Sequence, residues 1–217
     1  YGDQTPNFFP LFHDVPEKPR IKGLGNGYDF DVVNSDVILN RMSVKDGRLV
    51  LPDGMSYSIL ILPDQVQMTM EVLEKIEKLV KAGASIVGPR PETVPGLHNW
   101  EKKNISLNHL SGALWGASDG KKIFEHGYGK GKVIWGISAD EILREKLIEP
   151  DFSFTGPSEI DYIHRTTEMG EIYFLRNESE ETVNTMCRFR VKGKYPEIWD
   201  PSTGAISRVA VYTQEKQ

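Results

Sequence analysis

The residues whose types and spacing could do chemistry are the acids of the first 35 positions. Asp3, Asp29 and Asp31 lie in a stretch rich in Pro, Gly, Asn and aromatic residues, near Tyr1, Asn26, Tyr28 and Phe30. Carboxylates beside aromatic rings are the materials of a sugar site, where rings pack on C–H faces and acids bond hydroxyls. Asp29 and Asp31 are two apart, so an extended chain puts them on one face. With Tyr28 they make the candidate substrate-binding set. The bland alternative, that these acids cap turns and hold backbone, is the commoner role of such residues.

Other motifs point less far. Gly23-Leu-Gly25-Asn-Gly27 has its third glycine one residue early for a dinucleotide loop, and no helical pattern follows. Gly127-Tyr-Gly129-Lys-Gly131-Lys132 resembles a phosphate cradle but lies between two predicted strands, so a hairpin turn is the better reading. Cys187, the sole cysteine, falls in an alternating apolar run and reads as a core residue rather than a nucleophile. His13, His98, His109, His126 and His164 show no metal-ligand spacing, so no metal site is expected from sequence. No cofactor motif is present either.

The elements that must position these residues centre on Ser58 to Glu92. Ser58-Ile-Leu-Ile-Leu62 is apolar on both faces, as in a strand buried between layers. Val72, Leu73, Ile76, Leu79 and Val80 recur at helical spacing, with Thr69 at the N-cap and Gly83 just past the end. Glu71–Lys75, Glu74–Lys78 and Glu77–Lys81 are i,i+4 pairs on the polar side. Ala84-Ser-Ile-Val-Gly88 completes a βαβ unit whose strands are expected to be parallel neighbours.

Before this unit, Asp36–Met42 suggests one or two helical turns, and Arg48-Leu-Val-Leu-Pro52 a short strand between Asp-Gly turns. After it, Asn104–Trp115 reads as a helix. Lys122–Glu125 and Gly131–Trp135 read as strands. Ser138–Ile148 reads as a helix opened by a Ser138/Glu141 capping box. Glu149–Pro157 is linker-like. Beyond it, Ile160–Arg165, Glu171–Arg176, Thr182–Val191, Glu197–Trp199 and Ser207–Tyr212 are predicted strands. The expected organisation is an α/β domain over 1–150 and a β-sandwich-like module, truncated or docked, over 151–217.

Composition excludes several classes. The net charge is −5, from 26 basic and 31 acidic residues, which gives no basic excess for nucleic acid or an acidic membrane surface. No run approaches the ~18 apolar residues that span a bilayer. The sequence opens on Tyr1 with no signal-peptide pattern, and both ends read as cut.

Specific segments carry a resemblance. Tyr1-Gly-Asp-Gln-Thr-Pro-Asn7, Gly27-Tyr-Asp-Phe-Asp-Val-Val-Asn34 and Arg41-Met-Ser-Val-Lys-Asp-Gly-Arg-Leu-Val-Leu-Pro-Asp-Gly-Met-Ser-Tyr57 resemble glycoside hydrolase family 106, the α-L-rhamnosidases. Ile163-His-Arg165, Ile172-Tyr-Phe174 and Ile198-Trp-Asp-Pro201 are similar to the same family, in register. The resemblance implies a large, usually exported bacterial enzyme (periplasmic or extracellular). Its catalytic barrel would precede this region and β-sandwich domains would follow, both as partners within one parent chain. This stretch would then be a flavodoxin/amidotransferase-like parallel-sheet domain with the start of a small antiparallel sandwich. It would be accessory and non-catalytic, acting on rhamnose-containing carbohydrate only through its parent, with calcium in the parent left open. No catalytic acid of the family maps onto a position here. Asp3 is the remaining candidate, because its loop would leave the carboxyl end of the first strand. Amidotransferase chemistry itself is argued against, since the α/β region has no cysteine. A carbohydrate-binding module using Tyr28, Trp115, Trp135 or Trp199 as platforms is the rival reading.

Overall fold

The computed structural model describes residue 24 and residues 27–156 and 160–215, which fall into two units. One comprises residue 24 with 30–148, the other 27–29 with 149–215. Asp3, His13 and residues 23, 25 and 26 of the glycine-rich loop lie outside the described residues.

In the first unit, a π-helical turn (Val37–Arg41) leads into β1 (Ser43–Lys45), β2 (Arg48–Val50) and β3 (Ser56–Tyr57), an antiparallel three-stranded sheet. The tight turn between β1 and β2 is Asp46-Gly47, both with positive φ. The βαβ unit follows as expected. β4 (Leu60–Ile61), α1 (Met70–Ala82) and β5 (Ser85–Val87) are present, and β4 pairs parallel to β5 through Leu60↔Ile86. Thr69 Oγ1 accepts from Val72 N, and Gly83, at φ 124°, donates back to Leu79 and Val80 carbonyls. The five stripe residues of α1 are all buried.

α2 (Trp100–Trp115) crosses over to β7 (Gly131–Ile134), parallel to β5, and β6 (Glu125–Tyr128) lies antiparallel at the edge. The four-stranded order is β4-β5-β7-β6. Period-2 alternation sends Ile86 and Val133 to the face under α1 and α2. Val87 and Ile134 go to the other face, where they meet Ile142 of α3 (Ala139–Glu145). Both faces are therefore covered, which is why these strands lack polar alternation. The capping box at Ser138/Glu141 is formed in full.

Several boundaries differ from those expected: α3 stops at Glu145 rather than Ile148, the last strand is Ile206–Arg208 rather than Ser207–Tyr212, and two more shift at their starts. α2 begins four residues before Asn104, at Trp100, behind an Asn99 with φ 54° and no side-chain cap, so no capping signal marks its start. The first hairpin strand is Glu125–Tyr128 rather than Lys122–Glu125. Asp119 accepts from the amides of Lys121, Lys122 and Ile123 and folds that stretch into a turn.

In the second unit, the predicted linker contains a strand, β8 (Phe152–Phe154), paired with β11 (Cys187–Phe189). β9 (Ile160–Thr166) and β10 (Glu171–Asn177) form a hairpin, and β12 (Glu197–Trp199) pairs with β13 (Ile206–Arg208). The Thr182–Val191 alternation is real in burial, with Val183, Thr185 and Cys187 half-buried. Its ladder is short because β8 offers only three residues to pair with. Three strand pairs, rather than two stacked sheets, are what the described residues of this unit form. Its centre is a cluster of rings in which Phe152 meets Phe154, Tyr162 and Phe189 at 5.0–5.8 Å between centroids. Among the described residues no helix is long and apolar enough to cross a membrane.

Candidate functional site

Parallel-sheet folds gather ligands at the carboxyl ends of their strands, so that end of the first unit is the place to look. At β5 and β7 it is occupied by the unit's own groups. Trp115, at the end of α2 and fully buried, donates Nε1–H to the Gly88 carbonyl just past β5 (3.1 Å). Gly88 N in turn donates to the Ile134 carbonyl at the end of β7 (2.9 Å). Arg90 extends along α2, with Nε on Ser111 Oγ and a terminal nitrogen on the Asn108 carbonyl, both at 3.1 Å. Trp115 is thus a core residue and cannot serve as a stacking platform.

The opposite, amino end holds a basin of about 480 Å³ lined by Arg48, Lys130, Lys132, Lys146, Ser58 and Ser85, among others. Burial, then the neighbouring Lys132, pushes the Lys146 ammonium down from its ordinary value. Two of the cations are engaged: Lys132 pairs with Glu125, and Arg48 donates to Ser56 and Ser58. Two of the three glycines of the 127–132 run serve packing, while Gly127 faces open space. A Cβ on Gly129 would sit 2.7 Å from Lys81 Cα, and one on Gly131 would sit 2.2 Å from the Ala84 carbonyl oxygen. The run is a hairpin turn against the end of α1, in keeping with its position between strands.

The polar cluster with the most convergent chemistry lies in the second unit. Asp151 is 5% exposed, just ahead of β8, and its amide donates to the Gly27 carbonyl (2.7 Å). Its Oδ1 accepts from Tyr173 Oη (3.1 Å) and from Arg190 (3.4 Å). Its Oδ2 lies 2.7 Å from His164 Nδ1, but without hydrogen-bond alignment. His164 Nε2 is 3.0 Å from Glu171 Oε2, and Lys194 holds the other Glu171 oxygen at 2.9 Å. The imidazole stacks on Tyr173 with centroids 4.1 Å apart.

Asp29 completes the cluster. The residue is exposed, yet its carboxyl is crowded, and burial followed by the Asp151 charge raises its pKa. The nearby Tyr162 hydroxyl, His164 and Arg165 oppose that rise. Tyr162 and Tyr173 are both pushed up by burial and by the acids around them. Lys194, with Thr166 and His164, holds Glu171 down at about 2.

Of the candidate substrate-binding residues, Asp29 therefore reaches a cluster, while Asp31 serves the first unit. Asp31 accepts from Tyr57 Oη at 2.8 Å, and burial together with this bond lifts Tyr57 to about 12. Asp29 and Asp31 engage different partners rather than one shared site. Tyr28 is half-buried. Cys187 is half-buried with its thiol raised by burial, the opposite of an activated nucleophile. Trp199 is 65% exposed, with Nε1 directed at Glu197 (3.3 Å). Histidine spacing carries no sign of the place His164 takes. The strand period does hold one, because it puts Tyr162 and His164 on one face of β9.

The chain is 35% identical over 211 residues to a Formosa agariphila protein named "Putative beta-glucuronidase", covering 97% of this chain and 16% of that one. It superposes on the rhamnosidase from Novosphingobium sp. PP1Y with a TM-score of 0.78 and 30% identity, covering 88% of this chain and 18% of that one. The chain thus spans under a fifth of the length of either relative. The family model for glycoside hydrolase 106, described as alpha-L-rhamnosidase, matches residues 7–214, in keeping with the resemblance carried by the segments around Tyr28, Arg41 to Tyr57 and Trp199. This chain belongs to glycoside hydrolase family 106.

Proposed function

We propose that this chain is a non-catalytic region of an α-L-rhamnosidase-type glycoside hydrolase, supporting a catalytic part that lies elsewhere in a longer parent. The observation that carries the reading is that the carboxyl ends of β5 and β7 are occupied by the unit's own groups. Trp115, Arg90 and the Gly88 backbone fill the place where a parallel-sheet domain would hold substrate. In this reading the first unit is a flavodoxin- or amidotransferase-like domain that has kept its layers and lost its crevice. The second unit is the beginning of a sandwich whose remaining strands belong to the parent. The exposed apolar face of the β9–β10 hairpin supports this, since Ile163, Ile172 and Phe174 are each over half exposed. Domains of the same parent chain would cover that face. An exported bacterial parent follows from the family reading alone.

The test is hydrolysis of an aryl α-L-rhamnoside by the 217-residue chain beside the full-length parent. Turnover by the parent and none by the chain is expected. Saturable turnover by the chain alone would place the active site within these residues. Trp199, exposed beside Glu197, favours one second reading, a carbohydrate-binding surface. Titration with rhamnose oligosaccharides should then quench its fluorescence, and Trp199→Ala should abolish the effect.

A further inference from the structure

We infer that Asp29, Asp151 and His164 form a binding site for a divalent cation of the zinc class, which ties the 27–29 segment to the hairpin and β8 of the second unit. One atom from each residue, a carboxylate oxygen from each acid and a ring nitrogen from the histidine, lies within 4.8 Å of the others. Proximity alone would be an acidic cluster, and two further observations distinguish it.

The first is an orphaned atom. Asp151 is over nine-tenths buried, and its two oxygens are treated unequally. Oδ1 takes both donors, Tyr173 and Arg190, while the buried Oδ2 has no hydrogen-bond partner and faces His164 Nδ1. Buried carboxylate oxygens are rarely left so.

The second is the support behind the ring. His164 Nε2 meets Glu171, whose other oxygen is held by Lys194. A carboxylate accepting the far ring N–H is the usual outer support of a metal-bound histidine, because it fixes the tautomer and raises the basicity of the liganding nitrogen. In that tautomer Nδ1 carries a lone pair and stands 2.7 Å from Asp151 Oδ2. Two lone pairs do not stay that close without a positive centre between or beside them. A cation bound to both, and to Asp29, removes the repulsion. Ligand atoms about 2.0–2.2 Å from zinc stand roughly 3.4 Å apart, so the His164–Asp151 pair would open slightly and Asp29 move in. One imidazole and two carboxylates suit zinc or a neighbouring first-row ion better than calcium or magnesium, which prefer all-oxygen shells.

The rival is a proton on Nδ1, which would make the cluster an Asp151–His164 ion pair. Zinc chloride titrated calorimetrically into the chelator-stripped 217-residue chain near neutral pH separates the two. One ion per chain is expected. Asp29→Asn and His164→Gln should abolish binding or weaken it by at least ~10-fold. Glu171→Gln, which touches no metal, should weaken it by about 10–100-fold. His109→Gln, an exposed histidine of α2, should leave it unchanged. Circular dichroism keeps the result readable, because Asp29→Asn changes an exposed residue and should leave the spectrum intact. No binding by the unaltered chain, or equal binding by Asp29→Asn and His164→Gln, would overturn the site and leave the ion pair.

Discussion

The two units solve the problem of burying apolar surface in opposite ways. The first covers both faces of its sheet with helices, and almost every fully buried apolar side chain among the described residues belongs to it. The second buries one apolar side chain to that degree, Phe152, and leaves Ile163, Ile172, Phe174, Ile198 and Trp199 largely exposed. In place of a deep core it has a ring cluster and a network of charges around Asp151. A closed core needs no neighbour. An open hairpin face with a charge network beneath it behaves like one side of an interface. Stability in the first unit should therefore respond to volume, and stability in the second to charge.

The largest effect should come from the closed core. Trp115→Ala removes a ring that is 0% exposed together with its bond to the Gly88 carbonyl. It should cost about 3–5 kcal/mol by denaturant unfolding. Ile163→Ser, on the open hairpin face, should stay within about 0.5 kcal/mol. Comparable losses at the two positions would mean that the hairpin face is covered in solution and that the contrast is false.

The next effect belongs to the charge network. Asp151→Asn takes the negative partner away from Arg190, a bond of a kind worth about 1.5–3 kcal/mol to a charged group. Amide exchange in β9 and β10 should speed up, with no change in α1. A loss that spread equally into α1 would tie the network to the first unit's stability instead.

The same contrast explains what can be read from sequence. The first unit is legible because its signals are local. The α1 stripe, Thr69, Gly83 and the Ser138/Glu141 box each lie within one element. Ser138→Ala tests one such signal and should cost about 1 kcal/mol. The cluster is not legible, because Asp29, Asp151 and His164 are brought together by pairings distant in sequence. Asp151 has the sequence surroundings of a linker, and its burial arises from bonds to the backbone of Gly27 and Arg190. Asp29 stands out for the aromatics around it, which suggest a sugar-binding role that its neighbours in space do not share.

The smallest effect sharpens the comparison between one acid of each unit. Asp119 and Glu171 are both held down at about 2, but by different means. Backbone amides of Ile123, Lys122 and Lys121 hold Asp119, whereas the Lys194 ammonium, then Thr166 and His164, hold Glu171. Each carboxyl binds its proton less readily in the folded chain than in the unfolded one, whose values are 3.8 and 4.5. Both contributions are therefore complete above the unfolded value and are lost as pH falls towards about 2. Salt should separate them. Raising ionic strength screens the exposed Lys194 ammonium but leaves amide hydrogen bonds nearly untouched. Carboxyl-carbon NMR titrations at low and high salt should show the Glu171 midpoint climbing towards its unfolded value while Asp119 stays in place. A Glu171 midpoint that ignored salt would mean that Thr166 and His164, rather than the lysine, set its charge. The second unit's network would then rest on fixed hydrogen bonds, as the first unit's turn does.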